Sequence, residues 1–153
     1  MPKSKSRAKP TKLDPLVQQI TSLQSPAVIE VPTDGFNAAA LAIALTNALH
    51  KADVYAVIID RAPVINKDTL LHAIYQSCEF PKHFGFNWDA LVDCLSDFSW
   101  AEAKGYALIL KQPALLKERA PEDFATLLDV MQAVSERWAR DGVPFKLVLP
   151  HES

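Results

Sequence analysis

The sequence predicts an α/β fold: a small layered domain with a mostly parallel three- or four-stranded sheet flanked by helices. Four short runs rich in apolar and β-branched residues recur along the chain, at 27–31, 54–60, 106–110 and 145–149, and each has the length of a buried strand. Segments with apolar residues at helical spacing separate these runs. Strands that alternate with helices typically pair in parallel, with the helices covering the faces of the sheet.

Five segments have the pattern of a helix. In chain order they cover residues 14–24, 36–50, about 68–78, a stretch within 83–98, and 121–141. The first has the weakest pattern, whereas the second has a clear apolar stripe through Leu41, Leu45 and Leu49. Pro81 favours an end to the third helix, and Pro121 suits the first turn of the last. Both long helices are therefore expected to face a core.

The composition describes one domain with an acidic body. Of the 153 residues, 49% are hydrophobic, so the chain is long enough for one domain with a real core, and we expect that single domain to cover residues 14–153. Residues 1–13 hold five lysines and arginines and no acid, and we expect a disordered, solvated tail rather than a nucleic-acid-binding arm. Without those five cations, 11 basic and 18 acidic residues remain, a formal charge of −7. Such a body disfavours nucleic acid and suits a basic partner.

The motifs of several enzyme and metal-site classes are missing from the sequence. Its four glycines form no GxGxxG, no phosphate-binding GK[ST] loop and no GxSxG elbow. Cys78 and Cys94 lack zinc-site spacing, and the histidines are scattered, so we expect no metal and no cofactor. We identify no secretory signal and no uninterrupted apolar run of about 18 residues. These observations predict a cytoplasmic protein that is not an enzyme.

An acidic stripe lies in the segment HFGFNWDALVDCLSDF, residues 83–98. Asp89, Asp93 and Asp97 are four residues apart on one predicted helix face, and no lysine or arginine interrupts the segment. Like charges at this spacing destabilise an isolated helix by about 0.2–0.5 kcal/mol per pair. The pattern alone leaves three interpretations open: a solvated helix face, which charge runs usually are, a Mg²⁺ site, or a docking surface for a basic cleft.

A specific motif spans the turn and the acidic helix. It consists of Phe84-Gly85, then Asn87 and Trp88, then the run DALVDCL over residues 89–95. With the sequence around it, this motif resembles the barstar family of ribonuclease inhibitors, whose pattern is an aromatic-Gly turn, Asn, an apolar residue and DALxDCL. The resemblance covers about residues 54–149, and residues 26–53 are expected to add a strand and a helix before that core. It implies a small layered domain with a parallel sheet, in agreement with the periodicity.

The resemblance also implies which residues contact a partner. Asp93 matches the aspartate that occupies the phosphate-binding centre of the nuclease, and Asp89 lies one turn earlier. The chain departs from the best-known pattern at two contact positions: His83 stands where tyrosine is usual, and Val92 where a tryptophan is common. On the later helix, Ala133 stands where an acid is expected. The implied partner-binding residues are His83, Phe84, Gly85, Asn87, Trp88, Asp89, Val92 and Asp93, with Phe98 as an aromatic anchor and Glu136 as the nearest acid on the later helix.

The leading hypothesis is an intracellular inhibitor that binds a basic, barnase-type extracellular ribonuclease one-to-one. The acidic helix would occlude the active site of the nuclease. We expect a monomer when free, without direct contacts to nucleic acid or membrane. The alternative is a barstar-like binding or immunity module for another basic protein or nuclease toxin, and a metal-dependent hydrolase is a third hypothesis.

Overall fold

A computed structural model describes residues 13–33, 37–60 and 62–151 of the chain. Residues 1–12 of the predicted tail lie outside the described residues, and Leu13 already belongs to the first helix. Within the described ranges, no helix is long and apolar enough to cross a membrane. Strands and helices alternate along the chain as the sequence predicts.

Four strands of the described chain form one sheet in which every pair is parallel. They are β1 (Val28–Pro32), β2 (Val54–Ile59), β3 (Gly105–Leu110) and β4 (Phe145–His151). Their order across the sheet is β1-β4-β3-β2. The inner strands β3 and β4 are buried on both faces, apart from the terminal His151. Burial on both faces explains why their sequences are nearly continuous apolar runs.

Helices cover both faces of the sheet. In the described residues they are α1 (Leu13–Thr21), α2 (Ala38–Lys51), α3 (Lys67–Ser77), α4 (Trp88–Leu95), α5 (Pro113–Arg119) and α6 (Pro121–Ala139). One core, which includes Leu45 and Ile109, lies under α1 and α2. The other core, which includes Leu71, Leu91 and Phe145, lies under the remaining helices. The result is a three-layer arrangement with the sheet in the middle.

The order of the strands determines where each helix lies. The connection through α2 runs between the two edge strands, β1 and β2, and the later connections return to neighbouring strands on the opposite face. On that face α3 contacts β2, whereas α6 contacts α4, β4 and β1. The helix α6 therefore separates α4 from the β1 edge of the sheet.

Lys146 is an exception to the apolar interior of the sheet. It lies on the inner strand β4 and is only 2% exposed. Its Nζ donates to the carbonyl oxygen of Ser25 at 2.8 Å. Burial lowers the pKa of this lysine, because the interior solvates an ammonium group less well than water does.

The structure confirms the predicted fold class and differs from the predicted elements in two places. All four predicted strands are present, with ends shifted by no more than two residues. The helix α5 was not predicted, because it has seven residues, too few for a helical period to be recognised. The helix α4 ends at Leu95, so Asp97, which was assigned to one face with Asp89 and Asp93, lies beyond the helix.

Candidate functional site

The turn that leads into α4 is held by aromatic packing and by one close backbone approach. The ring of Phe84 is buried and lies 5.0 Å from the ring of Phe80. Gly85 follows, and its carbonyl oxygen accepts a hydrogen bond from Asn87 Nδ2 at 3.2 Å. A Cβ at Gly85 would lie 3.1 Å from the same nitrogen, tighter than most such contacts. A residue without a side chain is therefore well suited to this turn.

Phe86, in the middle of the same turn, was not among the predicted site residues. Its backbone has φ of +51°, a left-handed conformation that is uncommon for residues other than glycine. Its half-buried ring stacks on His72 at 4.3 Å and lies 5.0 Å from Tyr75 and 4.8 Å from Phe84. These contacts offset the strain and fix the turn against α3. The sequence signal was an aromatic residue between Gly85 and Asn87 of the motif.

Asn87 sets the start of α4. Its Oδ1 accepts a hydrogen bond from the backbone N–H of Ala90 at 2.8 Å, which satisfies one of the unpaired donors of the first turn. Trp88 is the first helical residue and is half-buried against the core. Asp89 follows in the first turn, where the positive end of the helix dipole favours a carboxylate. The motif NWD thus has a local structural reason at each position.

The inner face and the far end of α4 are fixed to the core. Leu91 and Leu95 are fully buried. The carbonyl oxygen of Leu95 accepts a hydrogen bond from Trp138 Nε1 of α6 at 2.8 Å. Just beyond the helix, the buried ring of Phe98 stacks on Tyr106 at 4.7 Å. The helix is therefore held at both ends, and the direction of its outer face is fixed.

The outer face of α4 presents the acids. Asp89 and Asp93 are exposed one turn apart, and Asp97 is exposed two residues beyond the helix end. In the part of the chain that the structure describes, none of the three forms an ion pair, since the two ion pairs there are Lys104–Asp53 and Lys111–Asp60. The result is a negative surface that the rest of the described chain does not neutralise.

Cys94 lies beside these acids, and their negative charge affects the pKa of its thiol. Its side chain is half-buried. Burial, and then the negative charges of Asp93 and Asp97, raise the pKa of its thiol. A thiol that stays protonated is a poor nucleophile. Cys94 therefore suits a packing role in the motif better than a reactive one.

The flank of α6 next to α4 carries a cation rather than an acid. Arg137 Nη1 donates to Ser96 Oγ at 3.5 Å, so this side of α6 faces the end of α4. Ala133, one turn earlier, shares that flank. Glu136 is exposed, lies about 100° further around the helix, and its Oε2 accepts from Gln132 Nε2 at 2.9 Å. Glu136 therefore lies on a different side of α6 from Arg137, and Arg137 was not predicted because the family pattern implies an acid on this helix.

The structure brings most of the predicted site residues together around the turn and α4 and buries two of them in the core. The predicted residues that are exposed or half-buried around the turn and α4 are His83, Gly85, Asn87, Trp88, Asp89, Val92 and Asp93. Phe84 and Phe98 lie in the core, with 5% and 0% of their surface exposed. These two rings support the turn and the end of α4 from within the core, and a contact of either ring, or of Glu136, with a partner stays a prediction. Across the described ranges, no three His, Cys, Asp or Glu side chains group as metal ligands do.

Comparison with known proteins identifies the family of the chain. The family model for barstar, described as a barnase inhibitor, matches residues 54–150. The match begins at β2, includes the turn and α4, and ends within β4. No curated protein matches the chain. Because the family model covers more than half of its length, the chain belongs to the barstar family.

Proposed function

We propose that the chain is an inhibitor that binds a basic ribonuclease one-to-one and blocks its active site. The family to which it belongs is one of inhibitors of barnase. In this proposal Asp93 enters the phosphate-binding centre of the nuclease, and Asp89 contacts the cations at its rim. The inhibitor acts on the nuclease inside the cell that makes it, before the nuclease leaves that cell.

One observation supports this proposal above the others. Asp89 and Asp93 are exposed on a helix whose both ends are anchored, and no cation of the described chain pairs with them. The two carboxylates give this face one sign of charge, which a basic partner would attract. Fixed carboxylates one turn apart suit a cleft that binds successive phosphates.

The anchoring has an energetic role in binding. Ordering a mobile side chain or loop at an interface costs about 0.5–1.5 kcal/mol for each flexible side chain immobilised. Here Asn87 and Trp138 already fix the backbone of α4, so association does not have to order it. The one-sign field also speeds the encounter with a basic partner and penalises an acidic one. Occlusion then needs no chemical step.

Arg137 supports a second candidate, a partner other than a barnase-like nuclease. Its guanidinium lies beside the end of the acidic helix, on the flank where the family has an acidic contact and this chain has Ala133. A uniformly basic cleft would repel a cation there. A partner surface with an acid at that point would accept it, which favours a binding or immunity module for another basic protein or nuclease toxin.

The test of the first candidate compares Asp93→Ala with a matched acid elsewhere. The nuclease is captured from the source cells on immobilised full-length chain and identified, and its dissociation is measured by surface plasmon resonance. Removing one partner of a buried charge pair costs about 2–5 kcal/mol, so we expect dissociation to accelerate about 30- to 5,000-fold. Asp129→Ala removes the same charge from an exposed position on α6 and should change the rate less than about twofold.

The two candidates give different results. A captured protein that degrades RNA, and that the chain inhibits until Asp93 is changed, supports the ribonuclease inhibitor. A captured basic protein without ribonuclease activity contradicts the inhibitor and supports the second candidate. Equal dissociation rates for wild type, Asp93→Ala and Asp129→Ala would exclude Asp93 from the interface in either case.

A further inference from the structure

The outer edge of β1 has backbone groups without partners in the described chain. Ala27 and Thr33 flank the strand and bond to β4 at 2.8 and 3.0 Å. Because backbone groups of alternate residues in a strand point to opposite sides, those of Val28 and Glu30 point away from β4. No described strand lies on that side, since β1 is the edge of the sheet. An unpaired edge of this kind is a template for another strand.

A groove adjoins this edge on the α6 side. It has a volume of about 610 Å³, within the range of typical ligand sites. The side chains of Val28 and Glu30 line it, so the residues with free backbone groups are also those that face the groove. Its other apolar walls are Pro113, Phe124, Leu128 and Leu149. A strand added to β1 would place every second side chain in this groove.

The groove is separate from the acidic helix. It is lined by flank residues of α6 such as Phe124 and Leu128, whereas Arg137 marks the flank that faces α4. It is also built partly from β1 and from Ala38 of α2, both of which precede the region matched by the family model. The two surfaces are therefore available to different partners at the same time.

The charges favour a foreign segment over a second copy of this chain. Glu30 is exposed, and among the described residues no cation pairs with it. Two lysines also line the groove, but Lys111 pairs with Asp60 at 3.7 Å and Lys117 lies over the ring of Phe124 at 6.0 Å. In a symmetric dimer formed through β1, the two Glu30 side chains would come to facing or neighbouring positions and repel one another. Pro32 and the five-residue length of β1 also discourage pairing of identical edges. A basic residue opposite Glu30 would instead be attracted.

We propose that β1 and its groove bind an extended segment of another protein by strand addition. The segment carries a lysine or arginine opposite Glu30 and apolar side chains two residues to either side, which enter the groove beside Val28. Its backbone pairs with the N–H and C=O groups of Val28 and Glu30. This is a peptide-binding site on the opposite flank of α6 from the acidic helix, and it does not depend on the function proposed above.

The probe is a fluorescent acetyl-TVTKTVT-amide peptide, whose valines and lysine lie on one face of an extended chain. We expect saturable binding to the full-length protein by fluorescence anisotropy, and slower hydrogen exchange of the Val28 and Glu30 amides with unchanged exchange in α4. N-methylating one set of alternate peptide residues should weaken binding at least about tenfold, and N-methylating the other set should not. Glu30→Lys should weaken binding, and acetyl-TVTETVT-amide should restore it. The matched control is Glu102→Lys, at an exposed acid outside the groove.

Other outcomes overturn the proposal. The peptide could fail to bind the full-length chain, or its binding could be equally sensitive to both N-methylated sets, and either result excludes strand addition. Concentration-dependent dimerisation that protects the same two amides would identify a second copy as the occupant. Loss of binding on Asp93→Ala but not on Glu30→Lys would assign the peptide to the acidic helix instead.

Discussion

Neutralising Asp93 should stabilise the free protein while weakening its binding to a basic partner. Asp93 has Asp89 four residues before it and Asp97 four residues after it, and the described chain gives none of them a cation. Asp97 lies beyond the helix, and the like-charge pair within it, Asp89 with Asp93, costs about 0.2–0.5 kcal/mol. Asp93 also lies in the last turn of α4, where the negative end of the helix dipole disfavours a carboxylate. We therefore expect Asp93→Asn to raise the free energy of unfolding by about 0.5–1.5 kcal/mol.

Asp89→Asn is the matched control, because it makes the same chemical change one turn earlier. It removes one like-charge pair, but it also removes a carboxylate from the first turn, where the dipole favours it by about 0.3–1 kcal/mol. The two effects oppose one another, so the unfolding free energy should change little or fall. Asn and Asp have similar helix propensities, so propensity does not obscure the comparison.

Urea unfolding followed by circular dichroism, in about 0.01 M and about 1 M salt, measures both variants. The Debye length falls from about 30 Å to about 3 Å between these conditions, so the gain from Asp93→Asn should largely disappear at high salt. If Asp93→Asn is no more stable than wild type at low salt, or if its gain is independent of salt, then charge repulsion along this face does not lower the free energy of unfolding.

Three further predictions concern the scaffold, and urea unfolding measures each one. Trp138→Phe removes the hydrogen bond to Leu95 and should lower the free energy of unfolding by about 0.5–1.5 kcal/mol with faster hydrogen exchange in α4; unchanged exchange would contradict the anchoring role. Asn87→Ala removes the helix cap and should cost about 0.5–2 kcal/mol, whereas no loss would mean that the cap is dispensable. Burial lowers the pKa of Lys146 in the folded state, so between that pKa and the ordinary value of about 10.4 the unfolded chain binds more protons and stability rises with pH. The stability of wild type relative to Lys146→Met should therefore increase as pH rises towards 10, and a difference independent of pH would contradict this.

The strands could be predicted from the sequence because the sheet is covered on both faces. A strand buried on both sides needs a nearly continuous apolar run, and the run YALIL within β3 is such a signal without any partner being known. The end of α4 could not be predicted in the same way. The chain turns there with φ of +43° at Phe98, and the buried ring of Phe98 lies 5.4 Å from the ring of Tyr55 on β2, 43 positions earlier in the chain. Long-range packing sets that end, and no local pattern contains it.

The acids of the site could be predicted, but their neighbours on α6 could not. Asp89 and Asp93 share a face by helical spacing alone, so the motif was sufficient. Which side of α6 faces α4 depends on how the two helices are rotated against one another. The bonds from Trp138 to Leu95 and from Arg137 to Ser96 fix that rotation, and they join residues 43 and 41 positions apart. Glu136, the nearest acid on this helix, lies about 100° around α6 from Arg137, the residue that contacts the end of α4.

A substitution changes both the stability of the chain and its affinity for a partner. Whether the two changes have opposite signs or the same sign distinguishes the residues that α4 exposes from those that hold the helix in place. In the proposed function Asp93 is an interface acid that destabilises the free protein, so changing it should raise stability and lower affinity. An anchor such as Trp138 serves both states, so changing it should lower stability and affinity together. Measuring both quantities on each variant thus assigns a residue to the interface or to the scaffold without a structure of the complex. On this criterion Asp97, beyond the helix and outside the family motif, belongs to the interface only if its neutralisation stabilises the chain and also slows association.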